Sequence, residues 1–210
     1  MKPSLTFWHD FASTYSWLAA ERIEQLAAQA GVEVMWRPFL LGPIFAALGW
    51  TSSPFNLFPA KGRNMWRDME RQCTRMGLPP ITRPDPFPQN SLLAARVATA
   101  LPADERPYFS CAVYRAQFTQ GRPIAEREVL AAILRNIGAA PGSIAAAESA
   151  GTKGALRQAT DQARAIGIYG APSFTTASGE LFWGNDRLEE AIDWARGEGT
   201  TPAETGFPPR

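Results

Sequence analysis

Side chains that bind soft metals or shuttle disulfides are scarce in this chain of 210 residues: two cysteines, Cys73 and Cys111, and one histidine, His9. The cysteines stand in unrelated contexts, with no C-x-x-C pair and no zinc-ligand spacing. Neither a disulfide framework nor a metal site is expected. An excess of either charge is missing too, since 21 Lys and Arg face 20 Asp and Glu. That balance excludes the basic field of a general nucleic-acid or membrane-surface binder. No apolar run reaches the roughly 20 residues that span a bilayer. The N-terminal apolar stretch is broken at once by His9 and Asp10, unlike a signal segment. The expectation is a soluble cytoplasmic protein with no metal, nucleic-acid or membrane partner.

What is present is apolar residues, 45% of the chain, enough for a sizeable core. Residues 4–11 read as a buried strand and 14–30 as a helix, with Gly31 placed to end it. Val32-Glu33-Val34-Met35-Trp36 alternates as a half-buried strand does, and Pro38 closes it. The middle is different in character. Helical patterns fall at 43–48, 61–76, 90–100, 104–119, 126–137, 141–150 and 152–166. An aromatic loop precedes the second of these, and a loop with five prolines spans 77–88. No strand pattern appears between about 40 and 165. Then Gly170-Ala171-Pro172-Ser173-Phe174-Thr175-Thr176 reads as a strand entered through a proline. Ser178-Gly179-Glu180 reads as a turn and Leu181-Phe182-Trp183 as the partner strand. A last helix opens near Gly184, with Asn185 or Asp186 as its cap, and a Gly/Thr/Pro-rich tail from Gly197 reads as mobile.

Strand–helix–strand, a helical block, then hairpin and helix is the thioredoxin arrangement interrupted by an insertion. The fold class expected is α/β, a thioredoxin-like domain with a large all-helical insertion. Residues 1–40 and 165–210 would build the first, and 41–164 the second.

Ser13 sits at the turn from the first strand into the first helix. A hydroxyl there suits an N-cap, since it accepts from an unpaired backbone N–H. The same end of a helix attracts anions, and a thiolate is an anion. Ser13 and Ser16 stand three apart, the separation of the two cysteines in a redox pair. With serine at both places the chain cannot exchange disulfides, but it can hold the thiolate of another molecule.

Asp10-Phe11-Ala12-Ser13-Thr14-Tyr15-Ser16-Trp17-Leu18-Ala19, Gly170-Ala171-Pro172-Ser173-Phe174 and Trp183-Gly184-Asn185-Asp186-Arg187-Leu188 resemble the 2-hydroxychromene-2-carboxylate isomerases. Those are grouped with kappa-class glutathione transferases and DsbA-like proteins, and the resemblance spans roughly residues 4–195. It implies glutathione as cofactor, a small aromatic carboxylate as substrate, a homodimer, and isomerisation by reversible thiol addition. Ser13 matches the serine that replaces the first redox cysteine, though Thr14 follows it where the family has proline. Pro172 matches the cis-proline of the fold, and Ala171 before it would pair its N–H and C=O with the cysteinyl unit. Asn185 and Asp186 match residues that hold the γ-glutamyl end. Lys61, in Phe58-Pro59-Ala60-Lys61-Gly62, matches a lysine that reaches the glycyl carboxylate. The asparagine expected upstream is absent, with Ser52, Ser53 and Asn56 near its place. Phe45, Trp50, Phe55 and Phe58 read as walls of a substrate site or as core, and Arg63 and Arg67 as contacts for an anion or as a solvated face. His9 reads as structural. A kappa-type transferase and a non-catalytic thioredoxin-like binding protein are the alternatives.

Overall fold

The computed structural model of the chain describes residues 2–140 and 142–197, so the tail expected to be mobile lies, from 198 on, outside the described residues. One sheet holds four strands in the order β2-β1-β3-β4: β1 (Ser4–His9), β2 (Glu33–Pro38), β3 (Ser173–Thr176) and β4 (Leu181–Trp183). β1 is parallel to β2 and antiparallel to β3, and β3 is antiparallel to β4. A parallel pair needs a crossover, here α1 (Thr14–Ala20) and α2 (Ile23–Ala30). The β3–β4 pair needs only a tight turn, with Gly179 at φ 90° and Thr176 N–H donating to the Glu180 carbonyl at 3.1 Å. The two ends of the chain therefore make one sheet, which is α/β as expected.

Residues 39–172 hold no strand among the described residues. They form α3 (Leu41–Ala47), α4 (Pro54–Leu57), α5 (Pro59–Met76), α6 (Leu92–Ala100), α7 (Arg106–Phe118), α8 (Arg127–Asn136), α9 (Ser143–Ala146) and α10 (Ala150–Ile166). The closing helix is α11 (Leu188–Ala195).

β1 is mostly apolar, so its alternation gives each sheet face a core. Leu5 and Phe7 join the larger one, with Trp17, Leu18, Met69, Val113, Tyr114 and Phe174. Phe7 lies opposite Phe174 across the β1–β3 pairing, with rings stacked at 5.5 Å. Trp8 points the other way, into a smaller core with Phe39, Ile44, Ala163 and Ile168.

Five local readings need correction. The helix expected over 14–30 breaks at Glu21 and Arg22, where Arg22 N–H donates three residues back to the Ala19 carbonyl. The cause is tertiary. Glu21 accepts from Trp17 Nε1 and from Arg115 of α7, while Arg22 turns toward the start of α11. β1 ends at His9, leaving Asp10 and Phe11 in the turn. β3 begins only at Ser173, so Gly170, Ala171 and Pro172 form a loop. Asn185 and Asp186 do not cap α11: they lie in a single 3-10 turn, Asn185–Arg187, before it. The helix expected over 141–150 shrinks to Ser143–Ala146, and Pro141 lies outside the described residues.

Candidate active site

The β1–α1 turn is held from several sides. Ser13 caps α1, accepting from Ser16 N–H at 3.1 Å. Its own hydroxyl proton is committed elsewhere, donating to the Ala171 carbonyl at 2.8 Å. The Ala171–Pro172 peptide is cis, as the resemblance implied. One hydrogen bond thus joins the serine to the loop before β3, across 158 residues of sequence.

Asp10 fixes the other side of the turn, a role that its sequence context did not mark. One carboxylate oxygen accepts from Ala12 N–H at 2.9 Å and the other from Leu41 N–H, the first residue of α3, at 2.7 Å. Its carbonyl accepts from Ser13 N–H at 3.0 Å and from the Tyr114 hydroxyl at 3.1 Å. Burial raises the pKa of this carboxyl above the usual range, opposed by hydrogen bonds from Leu41, Ala12 and Ser91.

His9 is structural, as read. It is fully buried among Phe7, Phe11, Trp36 and Tyr114, and its Nδ1 lies 3.1 Å from the Tyr114 hydroxyl. Because that hydroxyl donates to Asp10, Nδ1 is assigned the ring proton, and Nε2 has no partner. Burial, with Arg106 adding to it, pushes the pKa of His9 down to about 3. A neutral ring that does not line the cavity below is no general base.

Ser13 opens onto a cavity of about 1690 Å³ between the sheet's edge and the helical segment. Ser13, Lys61, Ala171, Pro172, Asn185 and Asp186 all line it. So do Asp10, Tyr15, Asp68 and Arg187, and among the helical residues Leu41, Phe45, Trp50 and Phe55. Ser52 and Ser53 reach it, whereas Asn56 is turned to the Phe87 carbonyl at 2.8 Å. Three expected residues stay out. Phe58 lies half exposed beneath Lys61, whose Nζ is 4.8 Å from its ring. Arg63 and Arg67 are on the outer face of α5, and Arg67 pairs with Glu70 at 2.5 Å. Ser16 is fully buried and away from the cavity.

Tyr15 joins the two walls, donating to Asp68 of α5 at 2.9 Å. Neither cysteine lines the cavity. Burial, with Glu21 nearby, pushes the Cys111 thiol up to about 12, and burial also raises Cys73. These are inert thiols. No cluster of three or more metal-type ligands occurs among the described residues. No helix among them is long and apolar enough to cross a membrane.

A thioredoxin-type sheet with serines at both places of the redox pair, and a cis-proline facing the first, defines a DsbA-like protein without a disulfide. The chain belongs to the family of DSBA-like thioredoxin domains, whose model matches residues 4–193. It is 26% identical over 190 residues to a 2-hydroxychromene-2-carboxylate isomerase of Sphingobium xenophagum, covering 90% of this chain and 96% of that one. Among solved structures, one of a 2-hydroxychromene-2-carboxylate isomerase superposes with a TM-score of 0.81 at 21% identity, over 93% of this chain and 95% of the other. The cytosolic disulfide reductase DsbM of Pseudomonas aeruginosa, solved with GSH, gives 0.60 at 16% identity, over 93% and 96%.

Proposed function

We propose that this protein is a glutathione-dependent isomerase acting on a conjugated, aromatic-derived carboxylate, as 2-hydroxychromene-2-carboxylate isomerases do. The observation that carries the reading is the Ser13 hydroxyl, set at the wall of a cavity of about 1690 Å³ that contains no cysteine. Sites for one drug-sized ligand measure about 300–1,000 Å³, so there is room for a cofactor and a substrate side by side. The donor set also suits the tripeptide. Glutathione has two carboxylates, one ammonium and one thiol. Lys61 offers a cation to one carboxylate, Asn185 an amide beside Asp186 for the amino-acid end, and Ala171 its backbone N–H for the cysteinyl unit. Ser13 is left for the sulfur. The DsbM structure, solved with GSH, favours this assignment.

Bound glutathione supplies a thiol that, once ionised, is the nucleophile for reversible addition. The protein's part is to favour the ionised form and to place the substrate. Ser16 N–H holds the Ser13 oxygen, so the hydroxyl proton can leave the Ala171 carbonyl for a sulfur anion while the oxygen stays put. A hydrogen bond to a neutral acceptor contributes about 0.5–1.5 kcal/mol and one to a charged group about 1.5–3. The exchange therefore favours the thiolate by about 1 kcal/mol, the difference between the two ranges. Tyr15, tied to Asp68, keeps the α1 wall at a set distance from α5. Phe45, Trp50 and Phe55 give the substrate ring an apolar face and exclude water.

The test is to supply a chromene carboxylate with catalytic glutathione and follow substrate and total thiol together. The expected result is turnover with an unchanged thiol pool, and none when S-methylglutathione replaces the thiol. Stoichiometric thiol loss with an electrophilic chloroarene, and no isomerisation, would replace this reading with a transferase.

A further inference from the structure

Arg22 lies at the break between α1 and α2, outside the cavity, with a side chain only 20% exposed. Its guanidinium reaches the 3-10 turn that precedes α11. One terminal nitrogen donates to both the backbone carbonyl and the side-chain Oδ1 of Asn185, each at 3.0 Å. The other pairs with Glu189. Arginine has donors only, which settles the orientation of the Asn185 amide: oxygen toward Arg22, nitrogen away from it. Asn185 is itself buried and lines the cavity. Its Nδ2 makes no hydrogen bond among the described residues, yet it is not among the polar atoms sealed from solvent.

The next side chain is placed by a different device. Gly184 has φ 115°, and a Cβ on it would come within 2.5 Å of Asp186 Oδ1. Asp186 Oδ1 thus lies back against the Gly184 backbone, and Asp186 lines the cavity together with Asn185. An N–H donor held in one orientation and a carboxylate lining the same end of the cavity complement one chemical group well: an α-amino acid head, with carboxylate on the amide and ammonium on the acid.

We propose that Arg22 is the positioning residue that makes this end of the cavity selective for a zwitterionic amino-acid head. Arg22 touches no ligand. It holds the amide in the donating sense and fixes the turn, and its charge lies behind the carboxylate subsite. The proposal rests on the glutathione reading, with the γ-glutamyl head as occupant.

Calorimetry of wild type, Arg22→Gln, Arg22→Lys and Asn185→Asp tests it, using two thiols. Glutathione carries the head. N-acetylcysteinylglycine has the same thiol and glycyl carboxylate without it. Wild type is expected to prefer glutathione. Arg22→Gln should weaken glutathione about tenfold and the acetylated dipeptide less than about twofold, since hydrogen bonds at one end only are lost. Arg22→Lys should recover only part, because an ammonium is a point charge without the planar fork. Asn185→Asp keeps an acceptor for Arg22 but sets a carboxylate where the amide donated, so it should lose the preference without loss of melting temperature. A purely structural Arg22 would weaken both thiols alike, and that equal loss, or an unaltered preference, overturns the proposal. Wild type that binds neither thiol overturns the glutathione reading itself, and this proposal with it.

Discussion

The cavity has two walls of different construction. The wall from the sheet end is fixed by hydrogen bonds between distant parts of the chain. Ser13 bonds to Ala171, Asp10 to Leu41, and Arg22 to Asn185. Phe11, Trp17 and Phe174 are fully buried behind it. The wall from the helical segment is apolar and less tightly enclosed: Trp50 is 36% exposed, and Phe45 and Phe55 are half-buried. Polar ties across the cavity are Tyr15 to Asp68 and Leu41 N–H to Asp10. In the proposed reaction the first wall holds the groups that would meet the thiol, and the second presents shape and apolar surface. Thiol activation and recognition of the aromatic ring would therefore fall, in that reaction, on different stretches of chain.

The contrast breaks if the walls contribute equally to stability. Phe11→Ala, at a fully buried ring packed against Phe109 and Tyr114, should cost about 3–5 kcal/mol in chemical denaturation. Phe45→Ala, on a half-buried ring beside Trp50, should cost about 1 kcal/mol, raise KM for the aromatic substrate and leave glutathione affinity unchanged. Equal losses for the two variants would contradict the division.

Gly62→Ala sharpens it from the other direction. A Cβ there would lie 2.3 Å from the Phe55 carbonyl oxygen, a backbone atom that cannot swing aside, so α4 must move off α5. The expected cost is about 1–3 kcal/mol, with altered substrate selectivity as the wall carrying Phe55 shifts. An unchanged selectivity profile would show that Phe55 does not shape the substrate site.

His9 yields a pH test of the fixed wall. With its pKa at about 3 when folded and the ordinary 6.5 when unfolded, the unfolded chain binds the extra proton between those values. Stability therefore rises with pH across that window, by up to about 1.4 kcal/mol per unit where the difference approaches one proton. The raised pKa of Asp10 acts in the opposite sense, since folded Asp10 holds its proton to higher pH than the unfolded residue does. The difference between wild type and His9→Phe isolates the histidine. Melting temperatures that fall on acidification from pH 7 to pH 4 in wild type, and fall less in the variant, are expected. Parallel curves would mean that His9 titrates normally in the fold.

Legibility in the sequence follows the same division. Ser13 was readable as the cap of α1 from its place at a strand-to-helix turn, whereas Pro172, Asn185 and Asp186 were reached only through their resemblance to family motifs; the structure puts all four on the cavity. Lys61 was likewise reached through the resemblance of its Pro-Ala-Lys-Gly segment, and it too lines the cavity. What escaped depends on contacts distant in sequence. No glycine or proline marks the break at Glu21 and Arg22; Arg115 and Asn185, far along the chain, set it. Asp10 was visible as part of a motif but not as an anchor, because its partners are backbone N–H groups that any residue supplies. Phe58 and Phe55 are equally aromatic and three residues apart, yet only Phe55 faces the cavity, because the short helix α4 sets the register and the sequence read there as loop.

In the proposed mechanism the Ser13 hydroxyl transfers its hydrogen bond from the Ala171 carbonyl to a bound sulfur anion. The pH–rate profile of Ser13→Ala, measured with saturating glutathione, tests it most directly. Losing a net preference of about 1 kcal/mol for the ionised thiol should move the lower inflection up by roughly one unit. At neutral pH turnover should fall about tenfold and recover partly as pH rises, while loss of the cap lowers stability by about 1 kcal/mol. A destabilised variant whose inflection stays at the wild-type pH would contradict the account and leave Ser13 as a helix cap alone.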